Sequence, residues 1–260
     1  DVTCGMNTCE RQADLLNPDP WHNSQGRELV SRRHSYQTPD EMAMMGRQYD
    51  AYDRTKPKVF VGEFAANKPA GAQTLRAAIA ESVFMLGFER NADVVVASAF
   101  APVLNNVHGN QWPYNLINFN ASHLFCLPSY YAQLMLSSAR GSYSLTAEMR
   151  GDCGLWNAAA SLASSNAGVI GLKLANYDEA PRDVTVSFAS WAPQRVERAS
   201  ATVLTAPSAD AENDLEAPEA IRPRVAEEPT QTSDGSLHVG MPPWSLMVIW
   251  VHMSPAATAL

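Results

Sequence analysis

Hydrophobic and polar positions follow two different rhythms along this chain, and the change falls near residue 140. In the first part, short continuous apolar runs alternate with helical periods. Lys58-Val59-Phe60-Val61-Gly62-Glu63 is one such run and ends on an acid. Residues 73–88 place Leu75, Ile79, Ser82, Val83 and Leu86 on one helical face. Asp93-Val94-Val95-Val96-Ala97 is a second run. Strand, helix and strand in that order form the βαβ pattern of a parallel sheet, and continuous runs indicate strands covered on both faces. Thr38-Pro39-Asp40-Glu41 opens a further predicted helix over residues 39–53, with Pro at its first position and acids in its first turn. Another helix is predicted over Ser129–Ser138, after Pro128.

In the second part the pattern is of short strands between loops. Ala158–Ser165 is small and weakly patterned. Gly168–Tyr177 reads as a strand, followed by a turn at Asp178–Arg182 and by the alternating Val184-Thr185-Val186-Ser187-Phe188. Thr202-Val203-Leu204, Ser236–Val239 and Trp244–Val251 are further strand candidates, and residues 207–235, acidic and Pro-rich, read as a long surface loop. Such spacing predicts an antiparallel sandwich. Residues 1 to about 30 show no period, and Asn17-Pro18-Asp19-Pro20 breaks any regular element. The tail from Ser254 is expected to fray.

Composition narrows the function classes. A hydrophobic share of 46% with 18% charged residues supports a packed core rather than disorder. The formal net charge of −8 makes nucleic acid a poor candidate partner, since phosphate binding needs a basic patch, and leaves a neutral glycan open. No apolar run is long enough to span a membrane, and no signal peptide opens the sequence. Cys4, Cys9, Cys126 and Cys153 lack the paired short spacings of a zinc site, so no metal is expected. A Cys4–Cys9 disulfide is compatible with an oxidising compartment, and Cys126 and Cys153 are expected as unpaired thiols.

Few residues suggest chemistry on position alone. Glu63 closes a predicted buried parallel strand, the end from which active-site residues emerge in β/α barrels. Gly62 before it permits close backbone approach or an unusual conformation. On position alone, a functional acid and a surface strand cap are equally good readings. His34-Ser35-Tyr36 would aim His34 and Tyr36 to one side of an extended segment. Trp112, in Asn110-Gln111-Trp112-Pro113-Tyr114, is placed either to stack on a sugar ring or to pin its loop. Trp156, Trp191, Trp244 and Trp250 fall in the β region and read as core. His108 and His123 receive no role. There is no Walker-type loop, Ser nucleophile elbow or His-Glu-x-x-His motif.

Phe60-Val61-Gly62-Glu63-Phe64-Ala65-Ala66 resembles the nucleophile strand of the glycoside hydrolase family 51 α-L-arabinofuranosidases. The resemblance continues through Thr74–Met85, through Gly87-Phe88-Glu89-Arg90-Asn91-Ala92-Asp93, through Ala97–Leu104, and through Trp112, Asn115–Phe119 and Pro128-Ser129-Tyr130-Tyr131. His34-Ser35-Tyr36 resembles the family's His-x-Tyr, and Pro242-Pro243-Trp244-Ser245 its closing Pro-Pro-x-Ser. It is strong over residues 33–138 and looser in the β region.

The resemblance implies the C-terminal part of a (β/α)8 barrel over residues 33–140, then a jelly-roll-like β-sandwich over 141–253, with 1–32 an irregular unmatched segment and 254–260 a tail. It implies retaining hydrolysis of terminal α-L-arabinofuranosyl units from arabinan or arabinoxylan, with Glu63 ionised as nucleophile. His34 and Tyr36 would orient the nucleophile and line the sugar subsite, with Trp112 as a further subsite residue. No cofactor is implied.

One part of the pattern is missing. Retaining hydrolysis needs a second carboxylate about 5 Å from the first, and in this family it follows an Asn. The sequence has no Asn-Glu dipeptide, and Ser31-Arg32-Arg33 replaces the aromatic and acidic residues usual before His-x-Tyr. Residues 1–32 cannot hold four or five βα units of roughly 30 residues each. The expectation is therefore a nucleophile-bearing fragment, inactive alone, with Asp40 and Glu41 the first acids to inspect. A clan-related glycosidase acting on xylosides or glucans, and a non-catalytic glycan-binding fragment, are the alternatives. Substrates of this kind lie outside cells and Asn120-Ala121-Ser122 is a glycosylation tripeptide. An extracellular location is expected, or a cytoplasmic one in a bacterium.

Overall fold

The structure, a computed structural model, describes residues 21–22, 28–67, 73–109, 112–113, 115–151, 154–163, 168–188 and 195–254. Strands β1 (Trp21–His22), β2 (Glu28–Tyr36), β3 (Lys58–Ala65) and β4 (Val95–Phe100) form one sheet in sequence order. β2, β3 and β4 run parallel, and β1 pairs antiparallel with β2. Helix α1 (Pro39–Met44) follows β2, and α2 (Leu75–Arg90) connects β3 to β4. Thr38 caps α1 in a reciprocal capping box with Glu41, and the Thr74 side chain caps α2 by accepting from Ala77 N.

After β4 comes a small sheet of β5 (Leu104–Asn106), β6 (Ile117–Phe119) and β7 (Leu124–Cys126), then helix α3 (Pro128–Ser138). The rest is antiparallel. Strands β8 (Tyr143–Leu145), β9 (Trp156–Leu162), β10 (Val169–Asn176), β12 (Val196–Leu204), β13 (Arg224–Val225) and β16 (Ser245–Met253) form a six-stranded sheet in the order β13-β12-β16-β10-β9-β8. β11 (Arg182–Val186), β15 (Leu237–Met241) and β14 (Thr230–Gln231) form a facing three-stranded sheet.

The central strands β10 and β16 of the six-stranded sheet are buried on both faces, and side-chain alternation explains how. Along β16, Leu246 and Val248 join the core that holds α2, whereas Met247, Ile249 and Val251 join a second core with Leu237, Val239 and Met241 of β15. Helix α2 is buried almost all round, since Val59, Val61 and Phe64 of β3 share its core with Ala159 and Ala175 of the large sheet. The α/β part and the β part thus share one continuous core.

Several expectations from the sequence need correction. The helix expected over 39–53 is α1 plus a single 3-10 turn, Met45–Arg47. The Gly46 carbonyl is occupied by Arg90 Nη2 at 3.0 Å and Asn157 Nδ2 at 2.8 Å, which takes it out of a helical ladder. Residues 1–32 are not irregular throughout, because β2 begins at Glu28. Residues 158–165 include most of β9, whose small side chains let α2 approach. The loop at 207–235 contains two short strands, β13 and β14. Cys126 is a free, partly buried thiol, while Cys4, Cys9, Cys153 and Trp191 lie outside the described residues. Among the described residues, no helix is long and apolar enough to cross a membrane.

Candidate active site

The three parallel strands set the site. β3 lies between β2 and β4, and its register pairs Glu63 with His34 across a shift at Arg33/His34. That irregularity re-aims side chains at the strand end, as bulges do. Beyond Glu63 the backbone is held on both sides: Gln37 N donates to Ala65 O and Ala101 N donates to Phe64 O, each at 3.3 Å.

Tyr36 and His34 converge on the Glu63 carboxylate. The Tyr36 hydroxyl donates to Glu63 Oε2 at 2.7 Å. His34 Nδ1 lies 3.3 Å from the same oxygen. This is a close approach rather than a directed hydrogen bond, for both His34 ring nitrogens are buried without one among the described residues. Burial, reinforced by the hydrogen bond to Glu63, pushes the Tyr36 phenol well above its ordinary range, so it stays a proton donor at any working pH.

Arg32 is a neighbour that the sequence did not assign to the site. Its Nη2 stands 4.0 Å from Glu63 Oε1, with both side chains partly exposed. Its signal was alternation, since Arg32, His34 and Tyr36 are spaced by two along β2. Gly62 has a steric reason here. A Cβ at this position would lie 2.8 Å from Arg32 Nε and 3.2 Å from His34 Nε2. Close approach, rather than an unusual backbone conformation, is what requires glycine.

The remaining candidates sit elsewhere. Trp112 is exposed, lies between β5 and β6 in sequence, and makes no described bond to the Glu63 cluster. Asp40 accepts from the Tyr177 hydroxyl and pairs with Arg76 at 2.6 Å; the hydroxyl and then the guanidinium hold its carboxyl below the usual range. Glu41 accepts from Thr38 N at 3.0 Å to close the α1 capping box. Both acids therefore have structural partners. Among the described residues no cluster of three or more His, Cys, Asp or Glu is arranged to hold a metal ion.

The Glu89-Arg90-Asn91 segment ties α2 to its surroundings and takes no part in the cluster. Glu89 pairs with the fully buried Lys173 of β10. Arg90 binds Asp50 at 2.9 Å and Asn157 Oδ1 at 2.5 Å, and Asn91 donates to Asp50 at 2.8 Å. Such bidentate, charge-assisted bonds fix geometry as well as energy.

Comparison with known proteins gives this geometry its context. The family described as the alpha-L-arabinofuranosidase C-terminal domain matches residues 47–245. Alpha-L-arabinofuranosidase 1 of Arabidopsis thaliana is 31% identical over 216 residues, covering 82% of this chain and 32% of that protein. Alpha-L-arabinofuranosidase A of Aspergillus kawachii is 33% identical over 220 residues, covering 83% and 33%. The chain therefore spans about a third of the length of the curated relatives it matches. Among solved structures, an arabinose-bound family 51 α-L-arabinofuranosidase aligns with a TM-score of 0.77 at 27% identity, over 87% of this chain and 37% of its own. The arabinose complex of the Thermotoga maritima α-L-arabinofuranosidase aligns at 0.65 and 15% identity, over 86% and 52%, a likeness of fold.

Proposed function

The chain belongs to the α-L-arabinofuranosidase family through its C-terminal domain, and on that premise we propose that it carries the nucleophile half of a retaining α-L-arabinofuranosidase site. The observation that carries the proposal is Glu63 at the end of a parallel strand with the Tyr36 hydroxyl on Oε2. The substrate class is arabinan or arabinoxylan with terminal arabinofuranosyl units. The α/β portion is read as the closing part of a (β/α)8 barrel and the antiparallel portion as a jelly-roll-like sandwich.

In this reading Glu63 Oε1 attacks the anomeric carbon as the glycosidic bond breaks, giving a covalent glycosyl-enzyme. The Tyr36 bond fixes the carboxylate plane and remains on Oε2, which becomes the ester carbonyl oxygen. His34 lines the sugar-facing side of Glu63, and Trp112 offers a stacking face. The leaving oxygen needs a proton from a second carboxylate about 5 Å from Glu63, and that acid is assigned to a part of the barrel outside this chain. No cofactor takes part. Substrate polymers of this type lie outside cells, which favours an extracellular location over a cytoplasmic one.

The test is labelling of the protein carrying the whole barrel with a mechanism-based arabinofuranosyl inhibitor, followed by peptide mapping. Label is expected on Glu63, with no labelling and no turnover in Glu63→Gln, whose amide is a far poorer nucleophile. Label on another carboxylate overturns the assignment. The 260-residue chain alone is expected to give negligible turnover on aryl α-L-arabinofuranosides, since general acid assistance contributes ~10²–10⁴-fold. Glu63-dependent turnover by it would show an acid within this chain.

A further inference from the structure

The antiparallel part grips the α/β part at the N-terminal ends of α1 and α2, the helices that follow β2 and β3. Tyr177 comes directly after β10 and Trp244 directly before β16. Asn176 and Ser245 are register partners, so both aromatics leave the large sheet at one end. Their rings meet edge to face at 4.9 Å. The Tyr177 hydroxyl donates to Asp40 Oδ1 of α1 and accepts from Arg76 Nε of α2 at 2.9 Å. Arg76 Nη2 closes the triangle on Asp40 Oδ1 at 2.6 Å. The Arg76 guanidinium also lies 5.3 Å from the centre of a Trp244 ring, within cation–π reach. Trp244 has a φ of 44°, a strained conformation that persists only where the surroundings over-determine it.

A second contact holds the same end of α2. Leu75 N and Arg76 N, in its first turn, need acceptors from outside the helix. They donate to Ala211 O and Ala209 O at 2.9 and 2.8 Å, in the segment that follows β12. Both contacts lead to Glu63. Asp40 follows Tyr36 after only Gln37-Thr38-Pro39. Glu81, in the second turn of α2, accepts from Ala66 N at 2.9 Å, three residues beyond Glu63. One route runs from the sandwich through α1 to Tyr36, the other through α2 to the end of β3. They meet in the 2.7 Å bond between Tyr36 and Glu63. The apolar core already joins the two parts, through Leu246 and Val248 beside α2. Partly exposed ion pairs such as Arg76–Asp40 add little to stability. What the triangle adds is direction, because it fixes where α1 stands relative to α2.

We propose that Tyr177, Asp40 and Arg76 are positioning residues through which the β-sandwich sets the spacing of the Tyr36 and Glu63 strand ends, and so the aim of the nucleophile. The proposal rests on the reading of Glu63 as nucleophile and Tyr36 as the residue that orients it. Attack requires a near-attack geometry, and a small misplacement caused far from the reacting atoms lowers the rate.

The test is a double-mutant cycle in the protein carrying the whole barrel, with Tyr177→Phe and Tyr36→Phe measured by steady-state kinetics on an aryl α-L-arabinofuranoside. Tyr177→Phe removes one hydroxyl and keeps the ring. Alone, it is expected to lower kcat ~3–10-fold with KM within about twofold, the pattern of a loss confined to the transition state. In the Tyr36→Phe background it is expected to change kcat less than about twofold, because the bond it acts through is already gone. Equal losses in the two backgrounds overturn the proposal, as does a wild-type kcat in Tyr177→Phe. If Tyr177→Phe does not fold, the same cycle with Asp40→Ala, at an exposed position of α1, decides. Failure of both to fold also overturns the proposal, since the triangle would then be a stability element. Turnover surviving in Glu63→Gln overturns the nucleophile reading and the proposal with it. An additive cycle while Glu63→Gln stays inactive removes the positioning role alone.

Discussion

Single side chains behind and beside Glu63 carry the sharpest consequences. Tyr36→Phe removes the donor to Oε2 and little else. A hydrogen bond to a charged group contributes about 1.5–3 kcal/mol, so turnover by the protein carrying the whole barrel is expected to fall ~10–100-fold. Steady-state kinetics checks this, and a change under threefold would show that Tyr36 does not orient the nucleophile. Glu81 is the second case. It is fully buried on α2, and its Oε1 accepts from Ala66 N at 2.9 Å, three residues beyond Glu63. Burial pushes its carboxyl from 4.5 up to about 7. A raised carboxyl means that the unfolded chain releases its proton first. The contribution of Glu81 to stability is then intact below about 4.5 and lost as pH rises to about 7. The loss amounts to up to about 3 kcal/mol. Urea midpoints across that window should fall with pH in the wild type and lose that component in Glu81→Gln, whose amide mimics the protonated acid. Equal slopes in the two proteins would place the titration elsewhere.

At the scale of elements, α2 decides how the parallel sheet and the sandwich are joined. Glu89 at its end meets Lys173, whose side chain is 0% exposed. Burial pulls the Lys173 ammonium below its ordinary range, against the pull of Glu89. Removing one partner leaves an uncompensated buried charge, so Glu89→Ala is expected to cost about 3–5 kcal/mol, whereas Glu89→Leu with Lys173→Met should recover most of it. Denaturant unfolding of both variants checks this, and equal losses in the two would mean the pair contributes packing alone. Sequence pattern made α2 itself legible because its apolar period is long. It did not reveal that the opposite face is covered too, since Ala77 and Ala80, buried there, are read as neutral. β9 was obscured for the same reason. β2 was obscured by charge: Glu28-Leu29-Val30-Ser31-Arg32-Arg33 alternates poorly, yet its register with β3 places His34 and Tyr36 on Glu63. The site was legible where motif residues were spaced by two on one strand. Arg32 shared that spacing but lay outside the motif, and the role of Gly62 was hidden because it depends on a neighbouring strand that no local window contains.

For the molecule as a whole, the open edge of β4 governs behaviour in solution. β4 pairs with β3 on one side, and its other edge has no strand partner among the described residues. Residues Val96 to Ala99 are exposed, with Val96 at 53%, and Leu104 just beyond is 66% exposed. A strand edge with free N–H and C=O groups and apolar side chains is a template for pairing with another chain. The formal charge of −8 opposes association but acts through a screened, long-range field. Short-range pairing at the edge wins once two copies meet. The 260-residue chain is therefore expected to self-associate at micromolar concentration, read as a concentration-dependent mass by light scattering after size exclusion. Val96→Lys puts a charge on the edge, the device by which natural sheets block such pairing, and is expected to shift the population to monomer without changing the unfolding midpoint by more than about 0.5 kcal/mol. A wild-type chain that remains a monodisperse monomer across that range would show that the β4 edge is already covered, and the assignment of an open barrel edge would fall with it.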